Sequence, residues 1–283
     1  MNVLIVGKTS FVGQGIAHWF AQKEPRPHVD FISVRDDGWK SMDLSGYDAV
    51  IFTAALVHRP DVTEEAEYDR LNAQLPYEFA QYAKAQGVAQ FLFFSSISVF
   101  PSLRSLPGGC VLTPRTPLQP DTVYGRSKLR GEQLTQSLAD EHFHVSIVRP
   151  TYVYGKNCRG VHIAVQHKLS RLLPILPKAF NKVKMGMVYI DNLSELCWLI
   201  VHSHRSGVYH AQDAQCLSTW EALKAMSPKK WSLPCTWLFL PLCRWSPVQR
   251  LFGGACYHDE MARCPLGEYQ LVSPQEGLQN AIQ

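Results

Sequence analysis

An α/β protein built on a parallel, doubly wound sheet is predicted by three features of this sequence. Short apolar runs alternate with longer helical patterns as far as Ala211. A glycine-punctuated turn, Gly7 to Gly13, joins the first apolar run to the first helical segment. Farther along, Ser95-Ser96 closes the run Phe91-Leu92-Phe93-Phe94, and Tyr124-Gly125-Arg126-Ser127-Lys128 opens a later helical stretch.

Asn2 to Val6 is short, apolar and bounded by Gly7, the pattern of a buried parallel strand, and Phe11 to Ala21 reads as the helix after it. Val29 to Val34 is the second strand, and Ala49 to Thr53, after Asp43-Leu44, is the third. A long helical segment from Glu64 to Gln86 stops at Gly87, and Phe91 to Ser95 is the next strand. Tyr124 to Glu141 is helical, and Val145 to Val148 is a strand closed by Arg149-Pro150. Beyond Gly155 the pattern loosens. Arg159 to Lys184 is basic and punctuated by Pro174 and Pro177; Met187 to Ile190 and Val208 to Ala211 are strand-like, and Leu193 to His202 is helical.

The bulk composition narrows the function classes. With 46% hydrophobic and 18% charged residues, the chain of 283 residues is globular rather than disordered. Its 28 basic and 24 acidic residues suit an anionic ligand but form no basic run of the kind that binds nucleic acid. The eight cysteines make no C-x-x-C pair, which argues for free thiols in a reducing cytoplasm and against structural zinc. His162 and His167 diverge on a helix, so no metal site is expected. The chain opens directly into a strand pattern, so no signal peptide is expected either. Trp231 to Trp245 is aromatic and apolar, but Pro234 and Pro241 break it and it is too short to span a membrane. A buried or dimer-forming segment is the favoured reading; an interfacial membrane contact is the alternative.

The residues carrying chemistry lie in order along the core. Tyr124 and Lys128 are four apart and share a helix face. An ammonium near a phenol favours the phenolate, so Lys128 is expected to lower the Tyr124 pKa and let it exchange a proton with a carbinol or carbonyl oxygen. A serine of the Ser95-Ser96 pair would hold that oxygen. In the turn Gly7-Lys8-Thr9-Ser10-Phe11-Val12-Gly13, backbone amides and a helix N-terminus suit a pyrophosphate. Gly7 permits the tight turn and Gly13 close helix–strand packing; Ser10 occupies the middle glycine position and would add a hydroxyl donor. The end of the second strand reads Ser33-Val34-Arg35 where an NAD site usually has an acid. Serine plus a cation leans toward NADP, while Asp36 or Asp37 would restore NAD if the register shifted.

With these residues in place the chain resembles the extended short-chain dehydrogenases/reductases of the NAD-dependent epimerase/dehydratase family. The resemblance rests on Val3–Gly13, Asp43-Leu44, Thr53-Ala54-Ala55, Asn72, Phe94-Ser95-Ser96, Tyr124–Lys128, Arg149–Gly155 and Tyr189–Leu193, and it covers nearly the whole chain. It implies a Rossmann-like dinucleotide-binding core over residues 1–155 and a small substrate lobe over 156–283, interleaved with the last core elements. It further implies Ser96, Tyr124 and Lys128 as catalytic residues. Asp43 and Leu44 would meet the adenine, and Thr53, Ala54 and Ala55 the middle of the cofactor. Asn72 would organise the helix carrying the proton relay, Lys128 would also hold the nicotinamide ribose, and Pro150 and Val153 would border the nicotinamide. Homodimers are common in that family. Met185 stands where many relatives carry an arginine for the substrate diphosphate, with Lys182 or Lys184 as substitutes.

The resemblance implies a nucleotide-sugar 4-epimerase of bacterial surface-polysaccharide synthesis, or a 4-ketoreductase using the same residues once. Ile97-Ser98 after Ser96 lacks the Asp-Glu pair of a dehydratase. A reductase of hydrophobic carbonyl compounds and a non-catalytic NADP sensor are the readings from other classes.

Overall fold

The computed structural model describes residues 1–57, 64–101, 106–158 and 161–282. The first half runs β1 (Asn2–Val6), α1 (Phe11–Phe20), β2 (His28–Ile32), β3 (Ala49–Phe52), α2 (Glu65–Asp69), α3 (Leu75–Ala85), β4 (Gln90–Phe94), β5 (Cys110–Leu112), α4 (Val123–Gln136) and β6 (His144–Pro150). The second half adds β7 (Tyr152–Tyr154), α5 (Val161–Leu172), β8 (Leu176–Lys178), β9 (Met187–Tyr189), α6 (Ile190–Ser203) and β10 (Gly207–Ala211). It closes with α7 (Thr219–Met226), β11 (Ser232–Pro234), α8 (Thr236–Phe239), α9 (Ser246–Phe252), β12 (Ala255–Tyr257), α10 (Asp259–Ala262) and α11 (Pro274–Ile282).

Six strands form one parallel sheet in the order β10-β6-β4-β3-β1-β2. Side-chain alternation along each strand explains the layers. Val3 and Ile5 of β1, Ile51 of β3 and Leu92 of β4 pack with Ile16 and Phe20 of α1 and with Leu193, Leu196 and Ile200 of α6. The intervening Leu4, Val6, Val50, Phe52, Phe91 and Phe93 face the other way, onto Trp39, Phe79, Ala80 and Ala83. Both faces are therefore dry, and the strands are near-continuous apolar runs. Because β1 lies between β2 and β3, the chain reverses its winding direction there, and such a switch point opens a crevice at the carboxyl ends of the strands.

Three features outside the site stand out, the first and last against expectation. α4 stops at Gln136, short of Glu141, because the Asp140 carboxylate accepts from the amides of His142 and Phe143 and turns the chain into β6. Tyr189 to Leu193 is a scaffold: the Asp213 carboxylate accepts from the Tyr189 amide, from Asn192 and from the Tyr154 hydroxyl, tying β7, β9 and α6 together. The segment 231–245 is buried on one side only. Trp231, Trp237 and Trp245 are 84%, 72% and 58% exposed. His162 lies outside the described side chains, and His167 is half-buried on α5. Among the described residues no helix is long and apolar enough to cross a membrane.

One close approach sets the site's geometry. A Cβ on Gly125 would lie 2.1 Å from the Ser98 carbonyl oxygen, so only glycine lets α4 pack against the turn that follows Ser96. Gly125→Ala is expected to destabilise the fold by about 1–3 kcal/mol despite alanine's better helix propensity. Thermal unfolding should therefore shift down by roughly 2–4 °C per kcal/mol; an unchanged midpoint would show that the approach is not constrained.

Candidate active site

At the switch point lies a cleft of about 910 Å³, within the usual range for ligand sites of about 300–1,000 Å³. Its floor is the turn between β1 and α1. Gly7 has φ +121°, and a Cβ there would lie 2.8 Å from Thr53 Oγ1. The Gly7 carbonyl accepts from the Ser10 amide, and the Ser10 hydroxyl accepts from the Gly13 amide, capping α1. Ser10 thus serves the helix as an acceptor, and only its proton remains to meet an anion. Lys8, Thr9, Ser10, Phe11 and Val12 line the cleft, whereas Gly13 is buried behind them against Ile5 and Thr53.

The wall is built by β3 and the helical stretch that follows it. Thr53, Ala54 and Ala55 line the cleft, and the Thr53 hydroxyl donates to the Val6 carbonyl. The helical stretch contains a π turn, Arg70–Gln74, between α2 and α3. Asn72 sits in that turn, fully buried. Its Oδ1 accepts from the Leu56 amide (2.8 Å), and its Nδ2 donates to the Leu56 carbonyl (2.9 Å) and to Ser127 Oγ on α4 (3.1 Å). Asn72 is therefore a clamp between the β3 loop and α4 rather than part of the lining. The same π turn brings Arg70 and Leu71 into the lining, and nothing in the apolar periodicity announced them.

Ser33 and Arg35 border the cleft at the end of β2. The Arg35 amide donates to Ser33 Oγ, and its guanidinium reaches Thr9 Oγ1 at 3.5 Å. Asp36 accepts from the Gly38 amide, and Asp37 pairs with Lys40 at 2.8 Å. Both acids border an adjoining hollow rather than the main cleft. Asp43 and Leu44 are not among the residues that line the cleft. Leu44 is buried in the core beside Trp39 and Phe79, and the Asp43 carboxylate accepts from the Ser45 amide.

Opposite the glycine turn the cleft gathers Ser96, Tyr124 and Lys128, with Pro150, Thr151 and Val153 beside them. Ser96 caps a 3₁₀ turn, its Oγ accepting from the Ser98 amide at 3.1 Å. Thr122 caps α4 through the Gly125 amide, which fixes the first turn on which Tyr124 stands. Ser95 also borders the cleft, and its hydroxyl is buried with no hydrogen-bond partner among the described residues. A buried hydroxyl without a partner carries a desolvation cost that a ligand would relieve. A backbone turn that excludes a Cβ, a capped helix N-terminus, an unpartnered hydroxyl and a cleft of this size together fit a dinucleotide.

The electrostatics correct one expectation. Burial pushes the Tyr124 phenol up to about 12, a hydrogen bond with Ser96 draws it back, and Tyr68 nearby raises it. Burial, not Lys128, sets the direction of that shift. Instead Lys128, 1% exposed with its ammonium 4.6 Å from the Phe93 ring, is itself brought down to about 7 by desolvation, with Glu132 opposing. Glu132 in turn is held by a two-pronged pair with Arg149, at 2.9 and 2.6 Å. On the substrate side, Met185 is buried, and Lys184 is paired with Glu221 rather than free for a diphosphate. Lys182 is exposed, and neither it nor Lys184 lines the cleft.

Lys128 holds its proton less tightly in the folded chain than in the unfolded one. Between about pH 7 and its ordinary value of 10.5 the unfolded state is therefore the more protonated, and stability rises with pH. Lys128→Met removes this dependence. In urea unfolding across that range, the variant's gain over wild type should be largest at pH 7 and shrink toward pH 10.5. A pH-independent difference would contradict the assignment.

The comparisons with known proteins agree with this geometry. The model of the NAD dependent epimerase/dehydratase family matches residues 3–211. UDP-glucose 4-epimerase of Vibrio cholerae is 26% identical over 278 residues, covering 89% of this chain and 82% of that protein. N-acetyl-α-D-glucosaminyl-diphospho-ditrans,octacis-undecaprenol 4-epimerase of Escherichia coli O157:H7 is 28% identical over 214 residues, covering 69% of this chain and 61% of that protein. The chain thus spans less than two thirds of this second relative. Among solved structures, UDP-glucuronic acid 4-epimerase from Bacillus cereus, in complex with NAD, superposes with a TM-score of 0.74 at 18% identity, covering 100% of this chain and 96% of that one. The chain belongs to the NAD dependent epimerase/dehydratase family, of the extended short-chain dehydrogenase/reductase type.

Proposed function

We propose that this protein is a nucleotide-sugar 4-epimerase that uses Ser96, Tyr124 and Lys128. The observation that carries the reading is the convergence of these three side chains on one cleft with the Gly7–Gly13 turn. The two sequence relatives named above, both 4-epimerases, support it. Gly7, Thr9, Ser10, Phe11 and Val12 would hold the pyrophosphate, Thr53, Ala54 and Ala55 the middle of the cofactor, and Pro150 and Val153 the nicotinamide edge. The nicotinamide, when bound, accepts and returns the hydrogen at the sugar C4.

The chain's own work is positioning and proton transfer. Tyr124 would take the proton from the C4 hydroxyl and give it back, while Ser96 hydrogen-bonds the same oxygen. A phenol raised to about 12 is a reluctant acid, so a neighbouring positive charge must stabilise its phenolate. Lys128 is the buried cation that would do this, and it also suits the nicotinamide ribose. A 4-ketoreductase would use these residues once, and net cofactor consumption distinguishes it.

For the cofactor we infer a preference for NADP. Ser33 and Arg35 face the cleft, while Asp36 and Asp37 are engaged in the following turn. Exposed tryptophans in the C-terminal lobe favour a second reading for the substrate, in which the sugar is carried on a polyprenyl diphosphate.

The test is turnover of a panel of UDP-, GDP- and dTDP-sugars and a polyprenyl-diphosphate sugar, with products identified by NMR. Tyr124→Phe is expected to lower kcat by about 10²–10⁴-fold, the usual contribution of a positioned proton donor, with dinucleotide affinity retained. Unchanged turnover would refute the mechanism. Arg35→Ala is expected to weaken NADP about tenfold or more and leave NAD within about twofold, as loss of a charge-assisted contact predicts. Equal losses for both would remove the NADP preference.

A further inference from the structure

The chain keeps its largest exposed side chains in one region. Four of the seven tryptophans are buried or half-buried; the other three, Trp231, Trp237 and Trp245, are each more than half exposed and fall within fifteen residues. Leu233, Leu238, Leu240 and Leu242 of the same segment are 42–59% exposed. The patch extends onto α5 and β8. β11 pairs with β8, and the Leu176 amide donates to the Trp231 carbonyl, which sets Trp231 beside Ile175 (50% exposed). The Lys230 ammonium donates to the carbonyls of Arg171 and Leu173, which sets it beside Leu172 (68% exposed).

These side chains are not overflow from an unfinished core. The inward residues of the same segment, Cys235, Phe239 and Cys243, already pack with Ala179, Phe180, Val183, Val248 and Phe252. The segment therefore has a satisfied apolar underside and a second apolar surface that faces water. Exposed apolar surface on this scale marks an interaction site.

Charge decides the partner. Residues 161–190 and 222–257 contain five Lys or Arg each and no Asp or Glu, leaving 18 basic against 24 acidic residues elsewhere in a chain of net charge +4. Lys168, Arg171, Lys229, Arg244 and Arg250 of these stretches are exposed. Exposed tryptophan and leucine on basic, acid-free stretches is the composition of an interfacial surface. Indole rings settle at the headgroup level, and the cations meet anionic lipid. A second copy of the same surface would bring like charges together.

We propose that residues 231–245, with Leu172 and Ile175, dock the protein peripherally on an anionic lipid bilayer. The inference does not depend on which sugar the enzyme turns over, since it rests on surface residues outside the cleft.

The test is co-sedimentation of the full chain with phosphatidylcholine vesicles and with vesicles containing phosphatidylglycerol, together with the solution mass. The expected result is binding to the anionic vesicles at least tenfold more tightly, with a blue-shifted tryptophan emission, loss of binding in high salt and a solution mass that the tryptophan variant leaves unchanged. Trp231→Ser/Trp237→Ser/Trp245→Ser should reduce binding at least tenfold. Arg171→Glu/Lys229→Glu/Arg244→Glu should reduce it roughly fivefold per charge. Both variants should keep wild-type dinucleotide binding, which separates lost docking from misfolding. Absence of vesicle binding by the wild type, or variants that bind equally well, would overturn the proposal. So would a solution dimer that the tryptophan variant dissociates, because a second copy would then be the occupant.

Discussion

The packing of α4 against the end of β4 is the constraint on which the rest of the site depends. Tyr124 and Lys128 ride on α4, and Ser96 follows β4, so the three meet only if helix and strand end come close. Gly125 permits the approach by leaving room for the Ser98 carbonyl. Asn72 secures the third corner, because one carboxamide holds both backbone groups of Leu56 and the Ser127 hydroxyl. A fully buried amide with three partners has little freedom to shift, since each lost bond would leave a polar group unpaired in the core. The π turn that carries it is the local irregularity this arrangement requires.

Behind the three residues lies a chain of compensated charge. Lys128 is buried over Phe93 and faces Glu132; Glu132 is paired with Arg149; Arg149 lies over Phe100 and 3.3 Å from His210. His210 is pushed down to about 4, by burial first and Arg149 second, and so adds no charge near neutrality. Removing one partner of such a pair leaves an uncompensated buried charge, which costs about 3–5 kcal/mol. The network thus sets a carboxylate near Lys128 that opposes its discharge by burial.

Much of this was legible in the sequence because it is local. The run Asn2–Val6, the turn from Gly7 and the helix after it are short-range patterns, and the four-residue spacing of Tyr124 and Lys128 fixes a shared helix face without any tertiary information. What was not legible depends on what packs over what. Lys128 was expected to lower the Tyr124 pKa, but desolvation dominates both groups, and burial depth is not written in spacing. Ser10 was expected to offer a ligand its hydroxyl proton, and the spacing did not announce that its oxygen also caps the helix. Trp231–Trp245 was expected to be buried or dimer-forming on composition, and within the chain Ala179, Phe180 and Val183 offer a surface that only one side of the segment can cover.

The most direct measurement follows a nucleotide sugar carrying deuterium at C4 through turnover. A 4-epimerase built as described returns the same hydrogen from within one closed site. The product should be inverted at C4, retain the deuterium and accumulate with no net change in the oxidation state of the cofactor. Loss of the label to free cofactor, or product that forms only as cofactor is consumed, would contradict the account and leave a one-way reductase in its place.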